Sequence, residues 1–439
     1  MDLAFFLMLN AVLLIRPEEL FPELEGVRLY LIVIVLCLLT AAPRLLTQLT
    51  PASLSRRPIT VCVLGLLGSM TLSFLARGRL WPIQEYVPEF AKVVLYYLLL
   101  LAVVDKPGRL RLFLGWLVLL VGVLSALAVL QYHGAIDVPA FAPLERKDID
   151  PQTGEEITFL QLRGNGTFND PNDLCLILMA GSICTIYRAV TAANWPATFL
   201  WLSPLGLFGY ALMLTRSRGG LLCFAAAVVA FLFARYGGRR AVPLAAVTLP
   251  VLLTVFAGRQ TNIDLGTEDT AQQRIQFWTE GLSLLLRGNW GPQAVVTGAG
   301  VGEFEEELGH VAHNSFVQAY VELGLVGGGL FLGMFALAGW GLHRVREAPE
   351  LGAEPGMAEL RPCLLAIVVG YAVGNYSLSR NYVIPTYLVV GLAAAYLAMA
   401  VPATAAWFRT DRKLVLRLVV LAAAGLVFLK VFTQMFVQY

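Results

Sequence analysis

HNSFVQAYVELGLVGGGLFLGMFALAGW, residues His313–Trp340, decides the fold. From Phe316 onward only Gln318, Tyr320 and Glu322 interrupt an apolar run long enough to cross a bilayer, which takes about 20 residues. A histidine, an asparagine and a glutamate thus stand on the threshold of a spanning helix. Polar groups are costly there and are functional candidates by default.

Working outward, the same texture fills the chain. Of 439 residues, 58% are hydrophobic and 14% charged, against about 45–50% and about 25% in soluble domains. A soluble core cannot absorb that excess, whereas a bilayer can. The expectation is an all-α, polytopic integral membrane protein of 12 to 13 transmembrane helices. The candidate runs are Leu3–Ile15, Leu29–Ala42, Ile59–Leu75, Phe90–Val104, Leu112–Gln131, Leu174–Tyr187 and Ala197–Leu214. They continue with Gly219–Phe233, Ala241–Phe256, Phe316–Trp340, Cys363–Gly374, Ile384–Ala400 and Leu414–Phe432. The first run lacks a basic leader and a small-residue cleavage site, so it reads as a retained helix rather than a signal peptide.

Lys and Arg crowd one set of alternate loops, Arg44, Arg56, Arg57, Lys106, Arg109, Arg111, Arg235, Arg239 and Arg240 among them. The short loops of the opposite set are sparser: Arg16, Arg28, Arg77, Arg79, Arg216, Arg218 and Arg380. The crowded side is therefore the cytoplasmic one. This orientation puts two long loops outside, 132–173 and 258–313, in one membrane domain covering 1–439. The net charge of +2 carries little information, and no nucleic-acid partner is expected. The six cysteines all lie in apolar runs without a C-x-x-C pair, so they read as small buried hydrophobes, not as a disulfide or zinc framework.

In the second long loop Ala271, Ile275, Trp278, Leu282 and Leu285 recur at spacings of four, three, four and three. This predicts an amphipathic helix lying on the membrane surface with its tryptophan at the interface. A flexible turn, Gly298-Ala299-Gly300-Val301-Gly302, follows it.

Several residues carry chemistry. Arg216 and Arg218 occupy a very short outer connection, where Ser217 is placed to cap the next helix and Gly219-Gly220 allows close approach. Guanidinium forks at a helix N-terminus suit a diphosphate, although head-group snorkelling accounts for such arginines too. Arg274 begins the amphipathic helix on its polar side. Lys92 stands alone early in an apolar run, by snorkelling or for a lipid phosphate. His313, with Asn314 beside it, is a candidate general base or a structural interface histidine; a metal pair with His310 has no further ligand spacing to support it. The loop Arg163-Gly164-Asn165-Gly166-Thr167-Phe168-Asn169-Asp170-Pro171-Asn172 makes turns and enters a helix with Asn172 or Asp173 as cap. It also offers polar groups to a sugar. Asp148-Ile149-Asp150 is too short a pattern to carry a metal–nucleotide site.

Together these segments resemble the O-antigen ligase and polymerase family, bacterial membrane glycosyltransferases. Gly166-Thr167-Phe168 to Asn172, Ser217-Arg218-Gly219-Gly220, Arg274 to Trp278, and His313-Asn314 with Gly324-x-x-Gly327-Gly328 carry the likeness, across roughly 160 to 330. The resemblance implies a GT-C-like architecture in the bacterial inner membrane, with a periplasmic active site. It implies a metal-independent, inverting transfer that needs no cofactor. The donor would be a glycan on undecaprenyl diphosphate and the acceptor a sugar hydroxyl, in ligases that of the lipid A core, with membrane lipids as surroundings. By the same resemblance His313 is the base, and Arg218 and Arg274 hold the diphosphate; Arg216 and Lys92 are further candidates from their own positions, not from the resemblance. Arg163, Asn172, Asn314 and Glu322 are candidates for substrate binding. A polymerase extending the same lipid-linked repeat, a protein-glycosylating ligase and, from another class, a transporter of lipid-linked glycans are the alternatives.

Overall fold

In a computed structural model the described residues are 1–149, 156–256, 269–345, 356–402 and 405–437. Among them, eleven helices are long and apolar enough to cross a membrane. Two shorter apolar helices, Asp2–Ile15 and Ile384–Ala400, complete the set. Each of the thirteen expected runs falls on one of these helices. The protein is an all-α, multi-pass membrane protein.

The helices begin where the backbone chemistry favours it. Pro58–Ala76, Pro107–Tyr132 and Pro171–Val190 open on proline, whose missing N–H would have had no partner in the first turn. Asn194 and Asp411 cap Trp195–Thr215 and Arg412–Phe436 by accepting from Ala197 and Leu414. Inside a bilayer such closure is obligatory, since lipid offers no substitute hydrogen bonds.

The chain divides into two compact units. The first comprises Met1–Ala42, Val103–Ile263 and Glu354–Gly374; the second comprises Pro43–Ala102, Asp264–Ala353 and Asn375–Tyr439.

In the first unit Pro171–Val190 is the central helix, 83% buried over its most apolar stretch, whereas Gly238–Val255 is only 11% buried. Trp195–Thr215, Arg218–Tyr236 and Pro107–Tyr132 pack around that centre. A partly buried ion pair of Asp2 with Arg109 (2.9 Å) and the Trp116 indole bonded to Leu7 O (2.9 Å) hold the first helix to Pro107–Tyr132. The first long loop also contains structure that its charged sequence did not suggest. Leu144–Ile149 and Glu156–Gln161 form an antiparallel hairpin, with Leu144 opposite Gln161 and Ile149 opposite Glu156. Asp150 of the weak acidic pattern lies outside the described residues.

In the second unit Ser315–Arg344 is the centre, packed against Pro58–Ala76, Arg412–Phe436 and Ile384–Ala400. It is kinked at Gly324, whose φ of 65° and ψ of −164° leave helical geometry. Along Arg412–Phe436 the side chains Leu416, Val420, Val427, Phe428 and Met435 are exposed. An apolar stripe of that length calls for lipid.

The amphipathic helix is present as Asp269–Arg287, but its tryptophan is not at an interface. Trp278, Leu282 and Leu285 enter a protein core with Trp290, Phe304 and Tyr320. Trp278 Nε1 donates to Ala312 O at 2.6 Å. The helix is a part of the second unit's packing, because protein covers the face that the sequence assigned to lipid.

Candidate functional site

The site region of the second unit is built on the sequence Ala312-His313-Asn314-Ser315. His313 has a φ of 48°, a left-handed conformation that is strained for any side-chain-bearing residue. It persists because both neighbours are fixed. Ala312 O is held by the Trp278 indole. Asn314, fully buried, caps the spanning helix by accepting from Phe316 N (3.0 Å) and Val317 N (3.1 Å). Ser315, also fully buried, lies 2.5 Å from Leu378 O and accepts from Arg380 N at 2.8 Å, while Asn381 Nδ2 donates to Ser315 O at 2.5 Å. The Trp278 helix and the Leu378–Asn381 segment thus converge on one turn, and His313 itself remains half-buried.

Two turns into the helix, Glu322 is a buried carboxylate whose partners are all donors. Oε1 accepts from Gly302 N (3.1 Å) and Gln318 Nε2 (3.0 Å), and Oε2 from Tyr382 Oη (2.9 Å). Burial, reinforced by the Glu322 carboxylate, pushes the Tyr382 phenol well above its usual range, so it stays a donor. Glu322 is therefore engaged on both oxygens by protein.

The glycine turn is docked here by its backbone. Ala299 N and Gly300 N donate to Val321 O and Glu322 O, both at 2.9 Å. A Cβ on Gly324 would lie 2.4 Å from Gly298 N, so only glycine provides both the kink and the close approach. Arg77 donates to Ala299 O and pairs with Glu303 at 2.8 Å, and Arg79 pairs with the other oxygen of Glu303.

Around this turn stand buried polar atoms without a partner: His310 Nε2, Asn314 Nδ2, Gln318 Oε1, Asn375 Nδ2, Ser379 Oγ and Asn381 Oδ1. Native interiors seldom leave such atoms unpaired, so their concentration around one turn sets it apart. Arg274 belongs to the same unit. It is one helical turn before Trp278 on Asp269–Arg287, so the indole that grips Ala312 ties the arginine's helix to the histidine's turn. Lys92 is exposed and pairs with Glu89 at 2.5 Å, an arrangement that snorkelling explains.

Sequence reasoning passed over the segment Asn375-Tyr376-Ser377-Leu378-Ser379-Arg380-Asn381-Tyr382. Its signal was available, since an almost wholly polar run between two apolar helices is unusual for a connection with no task.

In the first unit the second candidate turn is Thr215-Arg216-Ser217-Arg218. Arg216 closes Trp195–Thr215 with a φ of 51°, and its guanidinium lies 5.3 Å from the centroid of the Phe159 ring. Ser217 caps Arg218–Tyr236 as expected, accepting from Gly220 N at 2.9 Å, and donates to Asn172 Oδ1 at 2.5 Å. The close approach expected at Gly220 is real: a Cβ there would lie 2.3 Å from Cys175 Sγ. Asn172 is not the cap of its helix. Asp170 is, accepting from Asn172 N and Nδ2 at 2.8 Å each, because the proline at 171 fixes the first helical position and leaves the preceding residue as cap. Asn172 instead joins two helix starts. Arg163 spends its Nε on Ala142 O at 2.7 Å, tying the loop together. Arg218 is half-buried at the first position of its helix. The six cysteines are buried and unpaired.

No curated protein matches the chain. Residues 204–332 match the O-antigen ligase family. That interval holds Ser217, Arg218, Arg274, the glycine turn, His313, Asn314 and Glu322, and leaves the Arg163–Asn172 loop outside. Over those residues the chain is similar to the O-antigen ligase family, and the match covers under a third of its length.

Proposed function

We propose that this enzyme transfers a glycan from undecaprenyl diphosphate to a sugar hydroxyl at the outer face of the bacterial inner membrane, with the lipid A core as acceptor. The observation that carries this reading is the His313 turn: a strained, half-buried imidazole, fixed on both sides and surrounded by unpartnered buried polar atoms. Sugars are recognised through hydroxyls, and unpartnered amides and a hydroxyl are the groups that bind them.

In this reading His313 accepts the proton of the acceptor hydroxyl as its oxygen attacks the anomeric carbon. The bond from that carbon to the diphosphate oxygen breaks on the opposite face, and its electron pair leaves with the diphosphate. The configuration inverts. Arg274 meets the charge that grows on the leaving group, which lowers the barrier because the attraction is stronger in the transition state than in the bound donor. In the other unit, the Ser217-capped helix start with Arg218 presents aligned N–H groups and a planar fork, and we assign it to phosphate binding as well. Glu322 positions the glycine turn and Tyr382, and Asn314 positions His313. Fixed cations supply the charge neutralisation for which other transferases recruit a metal ion.

The purified protein, incubated with undecaprenyl-diphosphate glycan and lipid A core, should place the glycan on the core. Glycan that lengthens on undecaprenyl would make it a polymerase, and glycan on serine or threonine of a protein would make it a protein ligase; either result would replace the acceptor named here.

A further inference from the structure

A second polar site lies in the second unit, lined by none of the residues of the His313 turn. Thr279, Ser283 and Arg287 recur at i, i+4 and i+8, so they form one stripe on Asp269–Arg287. Lys430 and Gln434, at i and i+4, face that stripe from Arg412–Phe436. Between them is a cavity of about 600 Å³. Lys430 Nζ donates to Ser283 Oγ at 2.8 Å. Among the described residues, two cations line the cavity and no carboxylate does.

An ammonium inside an apolar spanning helix is expensive, and residues in that position mark sites where something polar arrives. Arg287, exposed at the rim, brings a second positive charge to the same space, and the two repel. An anion removes both penalties at once. The three neutral groups, two hydroxyls and an amide, add hydrogen-bonding partners for its oxygens. The flanks indicate what the anion is attached to: Leu286, Val431, Met435 and Phe436 are exposed apolar side chains beside the cavity. A free ion has no use for them, whereas acyl chains do.

We propose that this cavity binds the phosphate of a membrane-lipid head group, with Lys430 and Arg287 as its charge partners and Ser283 as a hydrogen-bonding partner. Such binding anchors Asp269–Arg287, the helix that carries Arg274, against the last spanning helix. The recognition does not depend on the transfer reaction.

The test uses the full-length protein in a neutral detergent, titrated with dioctanoyl phosphatidylglycerol and read by native mass spectrometry. Dioctanoylglycerol, which has no phosphate, and inorganic phosphate serve as comparison ligands. The Lys430→Gln, Arg287→Gln double variant should bind the phospholipid at least tenfold more weakly, a difference of about 1.4 kcal/mol, and dioctanoylglycerol unchanged. Arg287→Gln alone changes an exposed residue that leaves the fold intact, and should weaken phospholipid binding by about threefold. The exchange Lys430→Arg with Arg287→Lys should retain it. Equal phospholipid affinity in wild type and Arg287→Gln would overturn the proposal, as would inorganic phosphate binding as tightly as the lipid.

Discussion

Two turns of this molecule are built to one plan. Arg216-Ser217-Arg218 and His313-Asn314-Ser315 each place a left-handed, non-glycine residue before a capping side chain at the start of a spanning helix. They differ in what surrounds them. The first is satisfied: Arg216 is exposed and lies over Phe159, and Ser217 donates to Asn172 while it caps. The second is incompletely satisfied, with Asn314 Nδ2, Asn375 Nδ2 and Asn381 Oδ1 buried and unpartnered. Cap and strain together make a helix start. Unspent hydrogen-bonding capacity is what sets the second start apart and makes it the proposed catalytic turn.

The comparison breaks most readily at the two strained residues. His313→Ala should lower the transfer rate by at least about a hundredfold, the usual worth of a general base, with expression and melting temperature unchanged. Arg216→Ala should leave turnover within about twofold, since its side chain packs on Phe159 and donates to no substrate in this account. Equal losses from the two variants would erase the distinction between the turns.

A smaller effect on activity, but a large one on stability, is expected at the kink. Gly324→Ala introduces a Cβ at 2.4 Å from Gly298 N in a left-handed residue, and should destabilise the second unit by about 3 kcal/mol. Thermal unfolding in detergent reads this directly. Arg274→Lys keeps the charge and loses the planar fork, so transfer should fall by about tenfold without a change in melting temperature. The two caps give the finest contrast. Asn314→Ala should cost about 2 kcal/mol, because two N–H groups are left unmet in a buried setting, and Ser217→Ala about 1 kcal/mol. A larger loss at Ser217 would reverse the ranking of the two sites.

The thirteen helices were legible because hydrophobic run length is a direct reading of bilayer thickness. So was the Ser217 cap, a local feature fixed by residues within four positions. The burial of Trp278 was not legible: an apolar helix face looks the same in sequence whether lipid or protein will cover it. The cap at Asp170 was obscured by three polar candidates within four residues, and was settled by the intervening proline. The hairpin Leu144–Ile149 with Glu156–Gln161 was hidden by the charge of its first strand. The pairing of Glu322 with Tyr382, 60 residues apart, is a product of packing that no local pattern announces. The candidate base was visible as a residue, and its strain and its polar surroundings only as structure.

The central claim is that the bond between glycan and lipid diphosphate is broken here, and the most direct measurement follows the leaving group. Purified protein, supplied with undecaprenyl-diphosphate glycan and lipid A core, should release one undecaprenyl diphosphate for each glycan transferred, and the release should be lost in His313→Ala. A donor that stays intact, whether unreacted or moved across the bilayer as a whole, would contradict the account and make the protein a carrier of lipid-linked glycans.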